Sequence, residues 1–316
     1  PGDLPDSIIY LPLLSQGRGV GIITVQSFER YAYSKFQMDM LRNIAIYTGI
    51  ALENASVYLE ISKQNHKITD SINYAQNIQK AMLPSLEEVK QTLDNSFVLF
   101  RPRDIVSGDF YWMAHRDGKT IIAAVDCTGH GVPGAFMSLV GDGFLKQIVQ
   151  LKGVTDPGKI LTELHQMVYD SLRKSGSSSR DGMDMALCCI DREAQRMSYA
   201  GARNPLVSVD AQGKLASVKA DRHSIGGGAG RDEYRFTTHE LELDGETMYY
   251  IFSDGYQDQF GGDDDQKLCR KNFYHLLESS YHLPPLEQKD FLAGFLKGWI
   301  GSGMQIDDVL VIGFKA

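Results

Sequence analysis

Apolar runs bounded by glycine, proline or polar clusters fill the second half of the chain and predict β-strands. They are Phe97–Phe100, Thr120–Val125, Met185–Ile190, Met197–Ala200, Leu206–Val209, Met248–Phe252 and Val309–Phe314. Helical periodicity covers residues 134–150 and 157–174, with Asp156 as the cap of the second helix, and residues 175–182 have the composition of a loop. Several strands follow one another with no helix between them. We therefore predict a mixed α/β (α+β) fold, an antiparallel β-sandwich flanked by helices.

The first part of the chain has a different pattern. Residues 8–14 and 20–28 are strand-like and are joined by a glycine turn, and a long helical pattern follows from Phe36 to Met82, with no proline before Pro84. A hairpin and one helix bury too little surface to form a domain alone. We therefore interpret residues 1–52 as the end of a domain, residues 53–84 as a linker helix and residues 97–316 as a separate domain.

The linker helix carries a heptad pattern. Apolar residues recur every seven positions, and a second set lies four positions after the first; together the two sets are Ile61, Asn65, Ile68, Ile72, Ala75, Gln79 and Met82. Two such helices would pair as a parallel coiled coil, in which Asn65 favours one register, and the chain would be a homodimer. The alternative is an amphipathic helix that lies on its own domain. The sequence leaves both open.

Composition excludes several classes of protein. Hydrophobic residues make up 43% of the 316 positions, which excludes wholesale disorder. With 32 Lys and Arg against 40 Asp and Glu, the net charge is −8, so the positive field needed to bind nucleic acid is missing. No apolar run approaches the roughly 20 residues of a membrane span. The 4 cysteines have neither metal-site nor disulfide-framework spacing, which indicates a reducing, cytoplasmic location.

Aspartates stand where the predicted strands begin or end. Asp126 ends one apolar run, Asp254 follows another, Asp307 and Asp308 directly precede the last, and Asp109 lies between a glycine and an aromatic run. If such carboxylates converge, they repel one another unless a cation lies among them. Oxygen ligands favour Mg²⁺ or Mn²⁺ over zinc. A single Asp at such a place is more typical of a turn residue that caps a backbone amide, whereas four of them together favour a metal site.

A glycine-rich turn follows Asp126 and leads into a helix. It contains Gly129, His130 and Gly131 but neither a P-loop nor a dinucleotide-binding pattern. His130 is a candidate general acid or, more simply, a residue that hydrogen-bonds the turn. Cys127 is a poor candidate nucleophile, because no Arg or Lys follows it at positions 128–134 to bind a phosphate.

Several motifs occur together in the order found in one family. They are Arg101-Pro-Arg-Asp-Ile-Val-Ser-Gly-Asp109-Phe-Tyr-Trp, Asp126-Cys-Thr-Gly-His-Gly, Tyr199-Ala-Gly-Ala, Phe252-Ser-Asp254-Gly and Asp307-Asp308. On these motifs, residues 97–316 resemble the SpoIIE-type branch of the metal-dependent protein phosphatase 2C superfamily. The resemblance implies two antiparallel sheets flanked by helices, and hydrolysis of phosphoserine or phosphothreonine with two divalent cations, Mn²⁺ or Mg²⁺.

The resemblance also implies roles for single residues. Asp126 would bridge both metals and the Cys127 carbonyl would add a ligand, although many relatives have glycine there. Asp109, Asp254 and one residue of the Asp307/Asp308 pair, with Asp307 favoured, would complete the metal site. Asp109, Asp126 and Asp254 form the expected catalytic set. Either Arg103 or Arg101 would hold the phosphate, and Arg103 is favoured.

Residues 8–60 are similar to the C-terminal part of a GAF sensor domain, on Tyr10-Leu-Pro-Leu-Leu, Gly21-Ile-Ile-Thr-Val-Gln-Ser and Ile50-Ala-Leu-Glu-Asn-Ala. Together these resemblances predict a phosphatase that is controlled by a sensor and a linker helix, with a phosphorylated regulatory protein of the anti-anti-sigma type as substrate. Two other functions stay open. One is a metal-binding regulatory module without turnover, and the other is a phosphohydrolase for small molecules.

Overall fold

The structure is a computed structural model that describes residues 4–93, 95–173, 181–227 and 234–316. It divides into two compact units, Pro1–Ser71 and Ile72–Ala316. The loop predicted at residues 175–182 lies almost entirely outside the described residues. None of the helices within the described ranges is long and apolar enough to cross a membrane.

The first unit contains the predicted hairpin and most of the long helix. Its elements are β1 (Ser7–Ser15), β2 (Arg18–Ser27) and the part of α1 (Lys35–Met82) that precedes Ile72. Burial alternates along β1, so that Ile9, Leu11 and Leu13 face inward and pack with Ala45 of α1. This alternation is the physical basis of the strand pattern in the sequence.

The second unit contains two five-stranded antiparallel sheets. Its strands are β3 (Ser96–Arg101), β4 (Phe110–Arg116), β5 (Lys119–Cys127), β6 (Met183–Asp191), β7 (Arg196–Ala202), β8 (Leu206–Val209), β9 (Leu215–Val218), β10 (His239–Glu242), β11 (Met248–Phe252), β12 (Phe260–Gly261), β13 (Gln266–Lys267) and β14 (Val309–Lys315). One five-stranded sheet has the order β10-β7-β6-β5-β4 and the other β3-β14-β11-β8-β9, and β12 pairs with β13 in a separate two-stranded sheet. Every strand predicted from the sequence is present, whereas β4, β9, β10 and the short strands β12 and β13 were not predicted.

Helices flank the two sheets. They are α2 (Leu86–Thr92), α3 (Gly131–Leu145), α4 (Pro157–Arg173), α5 (Gly255–Asp258), α6 (Cys269–Ser280) and α7 (Pro285–Ile300). A π-helical turn, Lys146–Leu151, continues α3, so the predicted helix at 134–150 is present as α3 and this turn. Asp156 caps α4 as predicted, because its carboxylate accepts a hydrogen bond from the Lys159 backbone N–H at 2.8 Å.

The residues of β5 show why the domain is a sandwich. Ile121, Ala123 and Val125 pack against α3 and α4, whereas Ile122 and Ala124 face the second sheet. A third core lies between the second sheet and α6 and α7. Both faces of the central strands are therefore apolar, as in a helix–sheet–sheet–helix arrangement. The predicted fold class is confirmed.

Candidate metal centre

Four of the predicted aspartates come together at one end of the sandwich. Asp126 is the penultimate residue of β5, and Asp109 directly precedes β4, which runs antiparallel to β5. Asp254 follows β11 and Asp307 lies just before β14, its antiparallel neighbour. The Asp254 backbone N–H donates to the Asp126 carboxylate at 3.4 Å, which links the two sheets. Strand topology therefore brings together carboxylates that are far apart in sequence.

Asp109 is the most buried of these aspartates, at 3% exposure. Burial raises its pKa well above the ordinary range, and the negative charges of Asp308, Asp307 and Asp254 raise it further, while a hydrogen bond to Ser253 lowers it. Its Oδ2 atom is buried and has no hydrogen-bond partner within the described part of the chain. A buried oxygen without a donor, surrounded by like charges, is an environment that a cation would stabilise.

The pKa values of Asp126 and Asp254 are raised, as is that of Asp109. Burial raises the pKa of Asp126 well above its ordinary range, with further contributions from Asp109, Asp254 and Asp184. Burial, followed by the charges of Asp258 and Asp307, raises the pKa of Asp254 to about 6. The carboxylates of the cluster therefore disfavour each other's ionised forms.

Asp307 and Asp308 have different surroundings, although they are adjacent. Asp308 accepts hydrogen bonds from the backbone N–H groups of Arg103 at 2.7 Å, Gly108 at 2.7 Å and Asp109 at 3.4 Å. Its two oxygens are thus engaged in holding the loop that carries Asp109. Asp307 is half-buried and acts electrostatically on Asp109, Asp126 and Asp254. Of the pair, Asp308 is therefore committed to the loop backbone, and Asp307 interacts with three aspartates of the cluster.

Glycines allow two loops of the site to touch. A Cβ on Gly134 would lie 2.7 Å from the Gly108 Cα, and one on Gly108 would lie 3.3 Å from the Cys127 carbonyl oxygen. The Cys127 carbonyl therefore lies beside the loop that carries Asp109. The Cys127 thiol is instead buried in the core, and burial raises its pKa well above the ordinary range, so it is no nucleophile.

Asp184 is a neighbour of the site that the sequence did not indicate. It lies on β6 directly opposite Asp126 in the strand register. Burial raises the pKa of Asp184, and the Arg203 guanidinium, 3.3 Å away, opposes this shift. Only the pairing of β5 with β6 places Asp184 here, and sequence alone does not give that register.

Arg103 and His130 are exposed side chains at the edge of the carboxylate cluster, which we call the mouth of the site. The Arg103 guanidinium donates to the Ile306 carbonyl at 2.8 Å, and His130 Nδ1 lies 2.8 Å from Asp104 Oδ2. Burial raises the pKa of Asp307, and the charges of His130 and Arg103 partly oppose that shift. Arg101 ends β3, where its carbonyl accepts a hydrogen bond from Gln305. Arg103 is therefore the arginine with contacts at the site.

The donor set consists of oxygen atoms, which suits Mg²⁺ or Mn²⁺. Among the described residues, no group of three or more His, Cys, Asp or Glu side chains is arranged to hold an ion as it stands. Mg²⁺ usually takes only one or two carboxylates and keeps several waters. Paired aspartates completed by a carbonyl and water fit that preference, and the unpartnered Asp109 Oδ2 atom supplies a free ligand.

Comparison with known proteins gives the family. Residues 116–316 match the family model of stage II sporulation protein E (SpoIIE). The SiaA-PP2C domain of Pseudomonas aeruginosa is 31% identical and superimposes with a TM-score of 0.72, covering 80% of this chain and 98% of that chain. No curated protein matches the sequence significantly.

More distant structures share the fold. The PP2C phosphatase domain of SpoIIE from Bacillus subtilis, solved with a fragment of its regulatory domain, has a TM-score of 0.56 at 17% identity, over 70% of this chain and 62% of that chain. The RsbU and RsbW domains of Rv1364c from Mycobacterium tuberculosis give 0.54 at 17% identity, over 70% of this chain and 59% of that chain. The family model, which covers most of the chain, and the match to the SiaA-PP2C domain show that the protein belongs to the SpoIIE family of PP2C-type protein serine/threonine phosphatases.

Proposed function

We propose that Asp109, Asp126, Asp254 and Asp307, with the Cys127 carbonyl, hold two divalent cations, Mg²⁺ or Mn²⁺, and that this site hydrolyses phosphoserine or phosphothreonine. The observation that carries the proposal is the buried Asp109 Oδ2 atom, which has no hydrogen-bond partner in the described residues and lies among like charges. When bound, two cations supply an activated water and neutralise charge on the phosphoryl group.

The protein's own groups have three tasks in this proposal. Asp308 fixes the loop that carries Asp109 through its hydrogen bonds to the loop backbone. The core strands β5 and β11 hold Asp126 and Asp254 at fixed positions. Arg103, anchored to the Ile306 carbonyl, holds the substrate phosphate at the mouth.

We further propose that the substrate is a phosphorylated regulatory protein, of the anti-anti-sigma type. A structural neighbour that joins an RsbU domain to an RsbW domain in one chain supports this proposal. In this proposal, residues 1–52 of the present chain act as a GAF-like sensor segment and residues 53–84 act as the linker helix of a homodimer. Residues 97–316 then form the regulated phosphatase domain.

The test is metal-dependent hydrolysis of p-nitrophenyl phosphate and of a phosphoserine peptide. We expect turnover with Mn²⁺ or Mg²⁺, none in chelator, and a loss of at least about 100-fold in Asp126→Asn. Mn²⁺ titration by calorimetry should show weakened binding in the same variant. The matched control is Asp263→Asn, an exposed carboxylate, which should change neither measurement. Full turnover in chelator contradicts the proposal.

A further inference from the structure

An apolar stripe is exposed on α3, the helix that begins at the mouth of the metal centre. Val132, Phe136 and Leu139 are four and three residues apart, so they share one face of the helix. They are 39%, 65% and 36% exposed. Another face of α3 is buried, where Ser138 accepts a hydrogen bond from Gln79. The stripe is therefore separate from the face that anchors the helix.

A second apolar group is exposed on the loop before β14. Met304 is 84% exposed and Ile306 is 39% exposed. The buried Gln259 side chain fixes this loop, because it donates to the Met304 carbonyl at 3.0 Å and accepts from the Ile306 N–H at 3.1 Å. An ordered backbone thus holds both apolar side chains toward solvent.

Arg103 and Asp104 connect the two apolar groups across the mouth. Arg103 donates to the Ile306 carbonyl, and Asp104 contacts His130, the residue before α3, at 2.8 Å. Ile306 directly precedes Asp307 in the chain. The two apolar groups therefore flank a polar strip that adjoins the carboxylate cluster.

We propose that Val132, Phe136, Leu139, Met304 and Ile306 form one docking surface, the mouth surface, for the protein substrate. The inference rests on the proposed function. The polar strip between the two halves of this surface adjoins Asp307, so a protein that presents a phosphorylated side chain to the carboxylates would lie beside both halves. Burial of the exposed apolar side chains favours substrates whose phosphorylated residue has apolar neighbours. A second copy bound there would instead cover the carboxylates.

The test compares two phosphoserine peptides of equal length and charge. One has leucine on both sides of the phosphoserine, and the other has glutamine. For each enzyme, kcat/KM for each peptide is divided by the p-nitrophenyl phosphate turnover of the same preparation. We expect wild type to prefer the leucine peptide about tenfold, and Phe136→Ser and Met304→Ser each to reduce that preference.

The matched control is Leu151→Ser, at the end of the π-helical turn, which removes an apolar side chain that is 81% exposed. It should keep the wild-type preference. If wild type hydrolyses p-nitrophenyl phosphate with metal but treats the peptides equally, the mouth surface is not a docking site and the proposed function stands. Absence of metal-dependent turnover overturns the proposed function, and the inference with it. If Phe136→Ser alters the mass by light scattering but not the preference, the stripe binds a second copy and the inference is wrong.

Discussion

Asp109 shows at the scale of one residue how the fold produces a reactive site. The strand that follows it, β4, is anchored by buried Phe110 and Trp112, so the carboxylate is held at a place that water barely reaches. Asp308 fixes the loop on its other side. A flexible carboxylate would rotate away from its charged neighbours, but this one cannot. The Asp109 carboxylate is therefore held in repulsion with Asp308, Asp307 and Asp254, a strain that a bound cation would relieve.

We predict that Asp109→Asn lowers turnover by at least about 100-fold while it stabilises the protein in chelator. The amide is neutral and can donate to a neighbouring carboxylate, so relief of the buried charge should raise the free energy of unfolding by about 1–3 kcal/mol. Urea denaturation in chelator measures the change. A variant less stable than wild type under those conditions would show that Asp109 carries no such strain.

The raised pKa of Asp254, about 6, predicts a pH dependence of stability in chelator. Its protonated form is favoured by folding, so this contribution is complete below the ordinary pKa of 3.8 and is lost as pH rises through about 6. The free energy of unfolding of wild type, relative to Asp254→Asn, should therefore fall between about pH 4 and pH 7. Denaturation of both proteins across this range measures it, and a pH-independent difference contradicts the shift.

At the scale of elements, the end of α1 is tied to the loop that carries Asp109. The Gln79 side chain donates to the Ser107 carbonyl at 2.6 Å and to the Ser138 hydroxyl at 2.9 Å, and it accepts from the Ser107 N–H at 3.0 Å. One buried amide thus joins α1, the Asp109 loop and α3. A displacement of this part of the helix would be transmitted to the metal centre.

We predict that Gln79→Ala lowers both stability and Mn²⁺ affinity. It leaves the buried Ser107 N–H and carbonyl unpaired, at a cost of about 1–3 kcal/mol for each group. Asn77→Ala, at an exposed position two residues earlier, is the control. Urea denaturation and calorimetric titration measure the two effects. Loss of stability with unchanged Mn²⁺ affinity would mean that Gln79 supports the fold but does not position the site.

Substitutions of two glycines of α3, one at the contact with the Asp109 loop and one away from it, test the importance of that contact. Gly134→Ala should lower the free energy of unfolding by about 1–3 kcal/mol and reduce turnover, because the new methyl group would collide with the Gly129 carbonyl oxygen and with Gly108. Gly143→Ala, on the same helix with no atom within 4 Å of the added Cβ, should stabilise by about 0.5–1 kcal/mol. Equal effects of the two changes would show that the close approach at Gly134 is unimportant.

The sequence predicts this site unevenly, for physical reasons. Asp126, Asp254 and Asp307 were found because each adjoins an apolar run that only a buried strand explains. The strand β4 was not predicted, although Phe110, Tyr111 and Trp112 are buried in the same way as the apolar runs that mark the other strands. Asp184 depends on strand register, and the separate roles of Asp307 and Asp308 depend on backbone contacts. Neither has a local signature in the sequence.

At the scale of the whole molecule, the heptad stripe of α1 is divided between two environments. Within the second unit, Gln79 is buried and Ile72, Ala75 and Met82 are half-buried. This part of the helix therefore lies on the phosphatase domain, as in the alternative to a coiled coil. Ile61 and Ile68, in contrast, are 51% and 57% exposed. The predicted pairing surface is therefore limited to the part of the helix before Ile72.

We predict that this shorter stripe dimerises the chain. Pairing removes Ile61 and Ile68 from water, and Asn65 between them would favour a parallel register, which would place two phosphatase domains near each other. Light scattering should report a dimer for wild type and a monomer for Ile61→Asp/Ile68→Asp. The control Lys63→Asp/His66→Asp adds the same side chains on the opposite face and should remain dimeric. If both variants match wild type in mass, the helix does not pair. If the first variant is monomeric with wild-type turnover, the helix pairs but the pairing does not regulate the enzyme, because a regulatory interface must favour one of two activity states.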